Sequence, residues 1–111
     1  MAVPDFQTLM LPLLKLAGDG QLHTTAEAID RLAEYFQLSA DDRAQLLQNG
    51  QPRFNNRVYW ASTYLRKAAL LESVGRGRFR LTDRGRDLLL DAAEAIDIAF
   101  LEHRFPEVTE F

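Results

Sequence analysis

Apolar residues recur every three or four positions through the first half of the chain, which is the spacing of amphipathic α-helices. The first such stretch covers residues 6–17, and Pro12 within it should kink the helix or split off its first turn. Thr24 followed by Glu27 is the signature of a capping box, which opens a second helix whose buried stripe extends to Phe36. The chain therefore begins with two predicted helices.

Two more helices are predicted before residue 71. Ser39, with Asp42 three positions later, opens a short helix to about Gln48. The next helix covers residues 55–70, and its apolar face carries Val58, Ala61, Leu65, Ala68 and Ala69. Its opposite face, which has no acidic residue, carries Asn56, Tyr59, Thr63, Arg66 and Lys67. Trp60 and Tyr64 lie between the two faces, so we expect both rings to pack on a neighbouring element, with Trp60 in the core.

The helical spacing ends after residue 70, and residues 78–81 alternate strictly between polar and apolar side chains. Residues 71–74 and 78–81 flank a Gly75-Arg76-Gly77 turn, and this pattern predicts a β-hairpin. In its second strand, Phe79 and Leu81 share one face while Arg78 and Arg80 share the other. Thr82 then caps a last helix that ends before Pro106. The apolar side of that helix carries Leu88, Leu89, Ala92, Ile96, Ala99 and Phe100.

This order of elements predicts a mainly α fold with a small β-hairpin, which is the arrangement of a winged helix-turn-helix. The length of 111 residues is that of a single domain. We expect its core within about residues 3–90. Residues 91–111 are predicted to form an acidic C-terminal helix and tail, a candidate linker or dimer element.

The net charge of −3 is distributed unevenly along the chain. Residues 1–52 carry −4, residues 53–87 carry +6 and residues 88–111 carry −5. The basic block, residues 53–87, thus coincides with the polar-faced helix and the hairpin. Such a block creates a local field that attracts polyanions and that the overall charge conceals.

The residue types of the basic block suit double-stranded DNA as a partner. Arg and Lys neutralise phosphates, while Asn, Tyr, Thr and Arg reach base edges. Glycines at the hairpin tip permit close approach to a phosphate chain. We predict that the helix over about residues 55–70 is a recognition helix in the major groove, and that the basic wing, residues 71–81, follows the DNA backbone.

Other classes of function are disfavoured by the sequence. The absence of cysteine excludes disulfides and thiolate metal sites, and it fits a reducing, cytoplasmic setting. The apolar residues 9–17 are too few to span a membrane and contain Pro12 and Lys15, so we predict neither a membrane segment nor a secretory signal. His23 and His103 lie far apart without clustered partners in the sequence. We therefore expect no metal, no cofactor and no catalytic residue.

Four stretches of the chain carry a resemblance to a known family. They are VPDFQTLMLPLLKLAGDG, TTAEAIDRLAEYFQLS, QPRFNNRV with the following Trp60-Ala61 and Tyr64-Leu65, and KAALLESVGRGRFRLTDRG. Together they resemble the N-terminal domain of the Mrr restriction-endonuclease family over about residues 3–90. The Asn-Arg…Trp-Ala helix is the most telling part, since many winged-helix proteins end their wing in a sequence like RFRLTDRG.

The resemblance implies a type IV, modification-dependent restriction system. In that family this domain recognises DNA, often modified or methylated DNA, and a separate C-terminal nuclease domain cuts it. Such a nuclease needs an Asp…(Asp/Glu)-x-Lys metal site, and neither Lys15 nor Lys67 has that context. We therefore expect this chain not to be an enzyme. A nuclease domain in cis is the expected partner if the chain is a fragment, and a homodimer is a second candidate assembly.

The resemblance and the polar helix face together place DNA binding on eleven residues. They are Arg53, Asn55, Asn56, Arg57, Tyr59, Thr63, Arg66, Lys67, Arg76, Arg78 and Arg80. Two other functions stay open at this point. Winged helices also dock proteins, so the domain is alternatively a protein-interaction or dimerisation module, or it is a stand-alone transcriptional regulator.

Overall fold

The computed structural model describes residues 3–91 and 95–110, which form helices and a small sheet. The helices are α1 (Phe6–Leu16), α2 (Thr25–Tyr35), α3 (Ala40–Ala44), α4 (Arg53–Lys67), α5 (Asp83–Leu90) and α6 (Ile98–Arg104). The strands are β1 (His23–Thr24), β2 (Leu71–Ser73) and β3 (Arg78–Leu81), and short 3₁₀ turns cover Ala17–Asp19 and Pro106–Glu110. The fold is a winged helix that is mainly α, as predicted. Within the described residues, no helix is both long and apolar enough to cross a membrane.

The sheet is antiparallel in the order β1-β3-β2. β2 and β3 form the predicted hairpin, in which Leu71 pairs with Leu81. Phe79 and Leu81 are buried and Arg78 and Arg80 are exposed, which confirms the predicted faces. β1 pairs His23 with Phe79 and extends the hairpin to three strands. The sequence did not predict β1, because two residues are too short to show an alternation.

The core is centred on α4 and α1. α4 buries Phe54, Val58, Ala61, Ser62 and Leu65, while α1 buries Leu9, Met10, Leu11, Leu13 and Leu14. The Phe6 ring stacks on the Tyr64 ring at 5.6 Å between centroids, so Tyr64 packs on a neighbouring element as predicted. α1 is continuous through Pro12, so its first turn is not split off. The burial of the apolar side chains holds α4 against α1 and leaves Tyr59 and Trp60 of α4 exposed.

The predicted bounds of α3 and α4 require correction. α3 ends at Ala44 rather than Gln48, because Leu46 pairs with Pro52 in an isolated β-bridge. α4 ends at Lys67, because Ala69 adopts a left-handed φ of 60°. The amide of Ala69 donates to the carbonyl of Arg66 at 2.9 Å, which closes the helix end. Ala69 is therefore exposed, and the prediction that it shares the buried face was wrong.

The predicted caps of α2 and α3 are both present, but they differ in detail. Thr24 Oγ1 accepts a hydrogen bond from the Glu27 amide at 3.0 Å, and Ser39 with Asp42 makes both bonds of a capping box. The Glu27 carboxylate instead contacts the ring of His23 at 3.1 Å. The Glu27 side chain thus takes no part in the cap of α2 and pairs with the buried His23 instead.

The C-terminal segment, residues 95–110, packs onto the core. The predicted last helix is two helices, because Asp97 is extended and its carboxylate accepts from the Phe100 amide at 2.8 Å to begin α6. The segment buries Ile96, Leu101, Phe105 and Val108, so the predicted core boundary near residue 90 is too early. Ala99 is exposed, contrary to the predicted apolar side, and Ala92 lies outside the described residues. A role of this segment in a dimer or linker stays a prediction.

Candidate nucleic-acid interface

A cationic groove lies between α4 and the wing. Tyr59, Ser62 and Arg66 line its α4 side, and Arg76, Gly77 and Arg78 line its wing side. Its volume is about 270 Å³. Three of the described residues that line it are arginines and none is acidic, so the groove favours an anion.

The wing is held in one position by its backbone. Gly75 and Gly77 have left-handed φ values of 110° and 71°, which favour glycine in this turn. A Cβ at Gly75 would lie 2.9 Å from Nη2 of Arg78, so the missing side chain makes room for that guanidinium. The carbonyl of Gly77 accepts a hydrogen bond from the Thr25 amide at 2.9 Å. The wing tip is thereby joined to the start of α2.

The arginines of the groove are differently engaged. Within the part of the chain that the structure describes, the guanidinium groups of Arg76 and Arg78 make no hydrogen bond or ion pair, and both residues are exposed. Nη2 of Arg66 donates to Oγ1 of Thr63 at 3.2 Å, and that hydroxyl donates to the Tyr59 carbonyl at 3.0 Å. Arg66 is thus oriented along α4, while the two wing arginines present uncompensated charge to solvent.

Four other cations of the predicted site lie outside the groove lining. Arg80 pairs with Glu72 across the hairpin at 2.9 Å, which offsets its charge. Arg57 donates to the carbonyls of Val3 and Pro4 at 2.8 and 3.2 Å, so it contacts the N-terminal segment. Arg53 lies 3.5 Å from Oε1 of Gln45, and Lys67 is exposed at the end of α4.

A second, neutral concavity lies at the N-terminal half of α4. We call it the amide–aromatic concavity, and its lining is Gln51, Pro52, Asn55, Asn56, Tyr59 and Trp60, with a volume of about 500 Å³. Nδ2 of Asn56 donates to Oε1 of Gln51 at 3.1 Å. Tyr59 lines both this concavity and the cationic groove, so the two are neighbours.

The sequence predicts Trp60 in the core, but the structure places it at the surface. It is 41% exposed, because the buried face of α4 is centred near Val58 and Ala61 and Trp60 points away from it. Its ring meets the Tyr59 ring edge-on, at 6.0 Å and 80°. Tyr59 is 54% exposed. Two large aromatic side chains thus lie beside each other at the surface.

The surroundings of His23 were not predicted from the sequence. Its ring is 4% exposed and stacks on Phe79 of β3 at 6.0 Å. Nε2 lies 2.8 Å from the Asp19 carboxylate and Nδ1 lies 3.1 Å from the Glu27 carboxylate. Burial opposes the charged ring, but hydrogen bonds to the two carboxylates outweigh it and raise the pKa of His23 above 6.5. The i±4 spacing of the two acids is the signal that could have revealed this pairing.

This cluster is a structural link rather than a metal centre. Both ring nitrogens face carboxylates, so the imidazolium form satisfies both. In the described ranges 3–91 and 95–110, no group of three or more His, Asp, Glu or Cys residues is arranged to hold a metal ion. His23 instead connects the start of α2 with the strand that carries Arg78.

Two arginines of the basic block lie in other contacts. Arg84 donates to the Ala68 carbonyl at 2.9 Å and pairs with Glu107, and its guanidinium lies 4.8 Å from the centre of the Phe105 ring. Arg86 lies 3.6 Å from the Asp83 carboxylate. The basic block therefore contributes both to the cationic groove and to the attachment of the C-terminal segment.

Comparisons with known proteins cover most of the chain. Residues 6–91 match the family model described as Mrr N-terminal domain. The chain is 31% identical over 88 residues to the Type IV methyl-directed restriction enzyme EcoKMrr of Escherichia coli (strain K12), which is 78% of this chain and 29% of that enzyme. The chain thus spans less than a third of that relative's length. No solved structure gives a significant match. The matched residues include both concavities of α4.

Proposed function

Because this chain belongs to the Mrr N-terminal domain family, we propose that it binds double-stranded DNA as the recognition domain of a restriction system. The observation that carries the proposal is the cationic groove, where Arg66, Arg76 and Arg78 converge without an acidic residue in the described lining. Three cations around one concave surface release counterions from DNA when they replace them at phosphates.

The proposed docking places α4 in the major groove and the wing on the backbone. In helix-turn-helix proteins the N-terminal residues of the recognition helix contact base edges. In this chain those residues are Asn55, Asn56, Tyr59 and Trp60. Arg76 and Arg78 of the wing then contact phosphates, which positions the domain without reading sequence.

The proposed substrate class is methylated DNA. The printed name of the Escherichia coli relative describes methyl-directed restriction, and we extend that property to this chain as a proposal. Cleavage is proposed to belong to a nuclease domain in cis, since the relative is more than three times as long as the matched region. Such a system acts on DNA in the cytoplasm.

A titration of labelled duplex DNA at several salt concentrations tests the proposal. The logarithm of the association constant should fall linearly with the logarithm of salt concentration, by about 0.9 for each phosphate contacted. Arg76→Ala should lower this slope by about 0.9. Lys15→Ala is the matched control, because Lys15 is exposed on α1 and lines neither concavity of α4. A slope near zero, or no binding at low salt, would contradict the proposal.

A further inference from the structure

We propose that the amide–aromatic concavity sets the preference for modified DNA by contacting a methyl group on the major-groove edge of a base. This inference rests on the proposed DNA binding and assigns a separate task to the residues of α4 that line the uncharged concavity. The cationic groove supplies affinity, and the concavity supplies discrimination. Tyr59, which lines both, is the boundary between them.

The chemistry of the lining supports a contact with a base rather than with a phosphate. The six described residues that line the concavity are three amides, one proline and two aromatics, and none carries a charge. A phosphate is bound most strongly by cations, and these line the cationic groove and not this concavity. Apolar side chains instead contact a methyl group in the major groove, and amides bond to base edges.

The exposure of the two rings needs a reason beyond the fold. Tyr59 is 54% exposed and Trp60 is 41% exposed, and together they form a ledge on the helix that the winged-helix geometry turns toward DNA. A methyl group lying against this ledge loses its contact with water, as does part of each ring. Burial of one methyl group is worth about a threefold to fivefold change in affinity.

The concavity is preformed by contacts of the preceding loop. The Leu47 amide donates to the Gln51 carbonyl at 2.8 Å, and the Gln51 amide donates to the Asn49 side chain at 3.0 Å. The Asn56–Gln51 amide bond then joins this loop to α4. Few side chains must be ordered on binding, so a small apolar contact can still change the affinity measurably.

Binding to three pools of short duplexes tests the inference. The pools share a randomised sequence and contain unmodified bases, 5-methylcytosine in place of cytosine, or N6-methyladenine in place of adenine. We expect the protein to bind one methylated pool about threefold to tenfold more tightly than the unmodified pool. The pool that binds more tightly identifies the methylated base.

Variants at the ledge separate discrimination from affinity. In Trp60→Ala the ratio of the affinity for the preferred methylated pool to that for the unmodified pool should fall to about one. Tyr59→Phe should keep this ratio. Arg78→Ala should weaken binding to all pools by the same factor, and Lys15→Ala should change neither the affinity nor the ratio. Because Trp60 and Tyr59 are exposed, both variants should fold, which a thermal melt checks.

The fluorescence of Trp60 also tests the contact directly, because Trp60 is the single tryptophan of the chain. Its emission should shift to the blue, and quenching by acrylamide should fall, when the preferred duplex binds. Salt-dependent binding with no preference among the pools would overturn this inference and the proposed methylated substrate class, but it would leave the proposed DNA binding intact. A preference that survives in Trp60→Ala, or unchanged quenching in the complex, would also overturn it. Absence of binding to every pool would instead overturn the proposed function itself.

Discussion

The wing and the attachment of the C-terminal segment use arginines from the same basic block in different ways. The guanidinium of Arg78 lies in the wing without a hydrogen bond or ion pair to any described residue, and Arg78 lines the cationic groove. Arg84, six positions later, bonds to the Ala68 carbonyl, pairs with Glu107 and covers the Phe105 ring. The two side chains have the same formal charge, but only that of Arg78 is uncompensated at the surface.

The difference shows how the charge of a sequence segment relates to the field of the folded domain. A paired charge contributes little to the potential at a distance, because its partner cancels it. The +6 of residues 53–87 therefore overstates the charge available to a ligand. The cations that line the groove attract a polyanion. Arg84, which reaches the C-terminal segment, stabilises the fold instead.

The largest expected effect is a loss of folding stability when the C-terminal segment is altered. Leu101 of α6 is fully buried in the core, so Leu101→Ala should lower the free energy of unfolding by about 2 to 5 kcal/mol. Urea unfolding followed by circular dichroism measures this loss. Ala99→Ser, at an exposed position of the same helix, should change stability by no more than about 0.5 kcal/mol. Equal small losses in both variants would mean that the segment does not contribute to the core.

Substitutions in the wing should lower DNA affinity and leave folding stability nearly unchanged. The double variant Arg76→Ala and Arg78→Ala should lower DNA affinity at least about tenfold, which is about 1.4 kcal/mol, because two phosphate contacts are lost. The salt slope should decrease by about 1.8. The free energy of unfolding should change by no more than about 0.5 kcal/mol, since both residues are exposed and unpaired within the described residues. Fluorescence anisotropy and urea unfolding of one preparation measure both quantities.

Arg84→Ala should produce a smaller effect, and on stability alone. Its side chain is 43% exposed, so solvent screens the pair with Glu107. The loss of this pair and of the bond to Ala68 should cost about 1 kcal/mol in the free energy of unfolding. DNA affinity should stay within about twofold of the unaltered protein. A tenfold weaker affinity in Arg84→Ala would show that the two regions are not separate.

These contrasts also explain which features the sequence could predict. Residues close together in the chain determine the faces of α4, the alternation in β3 and the Thr24 cap, so their patterns are local. The partners of Arg57 and Arg84 lie 54 and 23 positions away, and no local pattern contains them. The exposure of Trp60 was missed because its helical position is compatible with either burial or solvent until the packing around α4 is known.

The smallest expected effect comes from His23, whose charge depends on pH. Its folded pKa is raised above 6.5 by hydrogen bonds to Asp19 and Glu27 that outweigh burial, so its contribution to stability is fully present below the unfolded pKa. That contribution is lost as the pH rises through the folded pKa, because the neutral ring can donate to only one carboxylate. Arg31 also contacts Glu27 at 3.2 Å, so part of the acid's pairing persists.

Urea unfolding between about pH 6 and pH 9 measures this loss. The free energy of unfolding should decline with rising pH in the unaltered protein, and the decline should be smaller in His23→Gln. His103→Gln, at an exposed position of α6, should keep the decline and serves as the control. If His23→Gln keeps it as well, His23 does not stabilise the fold through its charge. In that case the wing is held to α2 by the β1–β3 pairing and the Thr25–Gly77 hydrogen bond, and its position should not depend on pH.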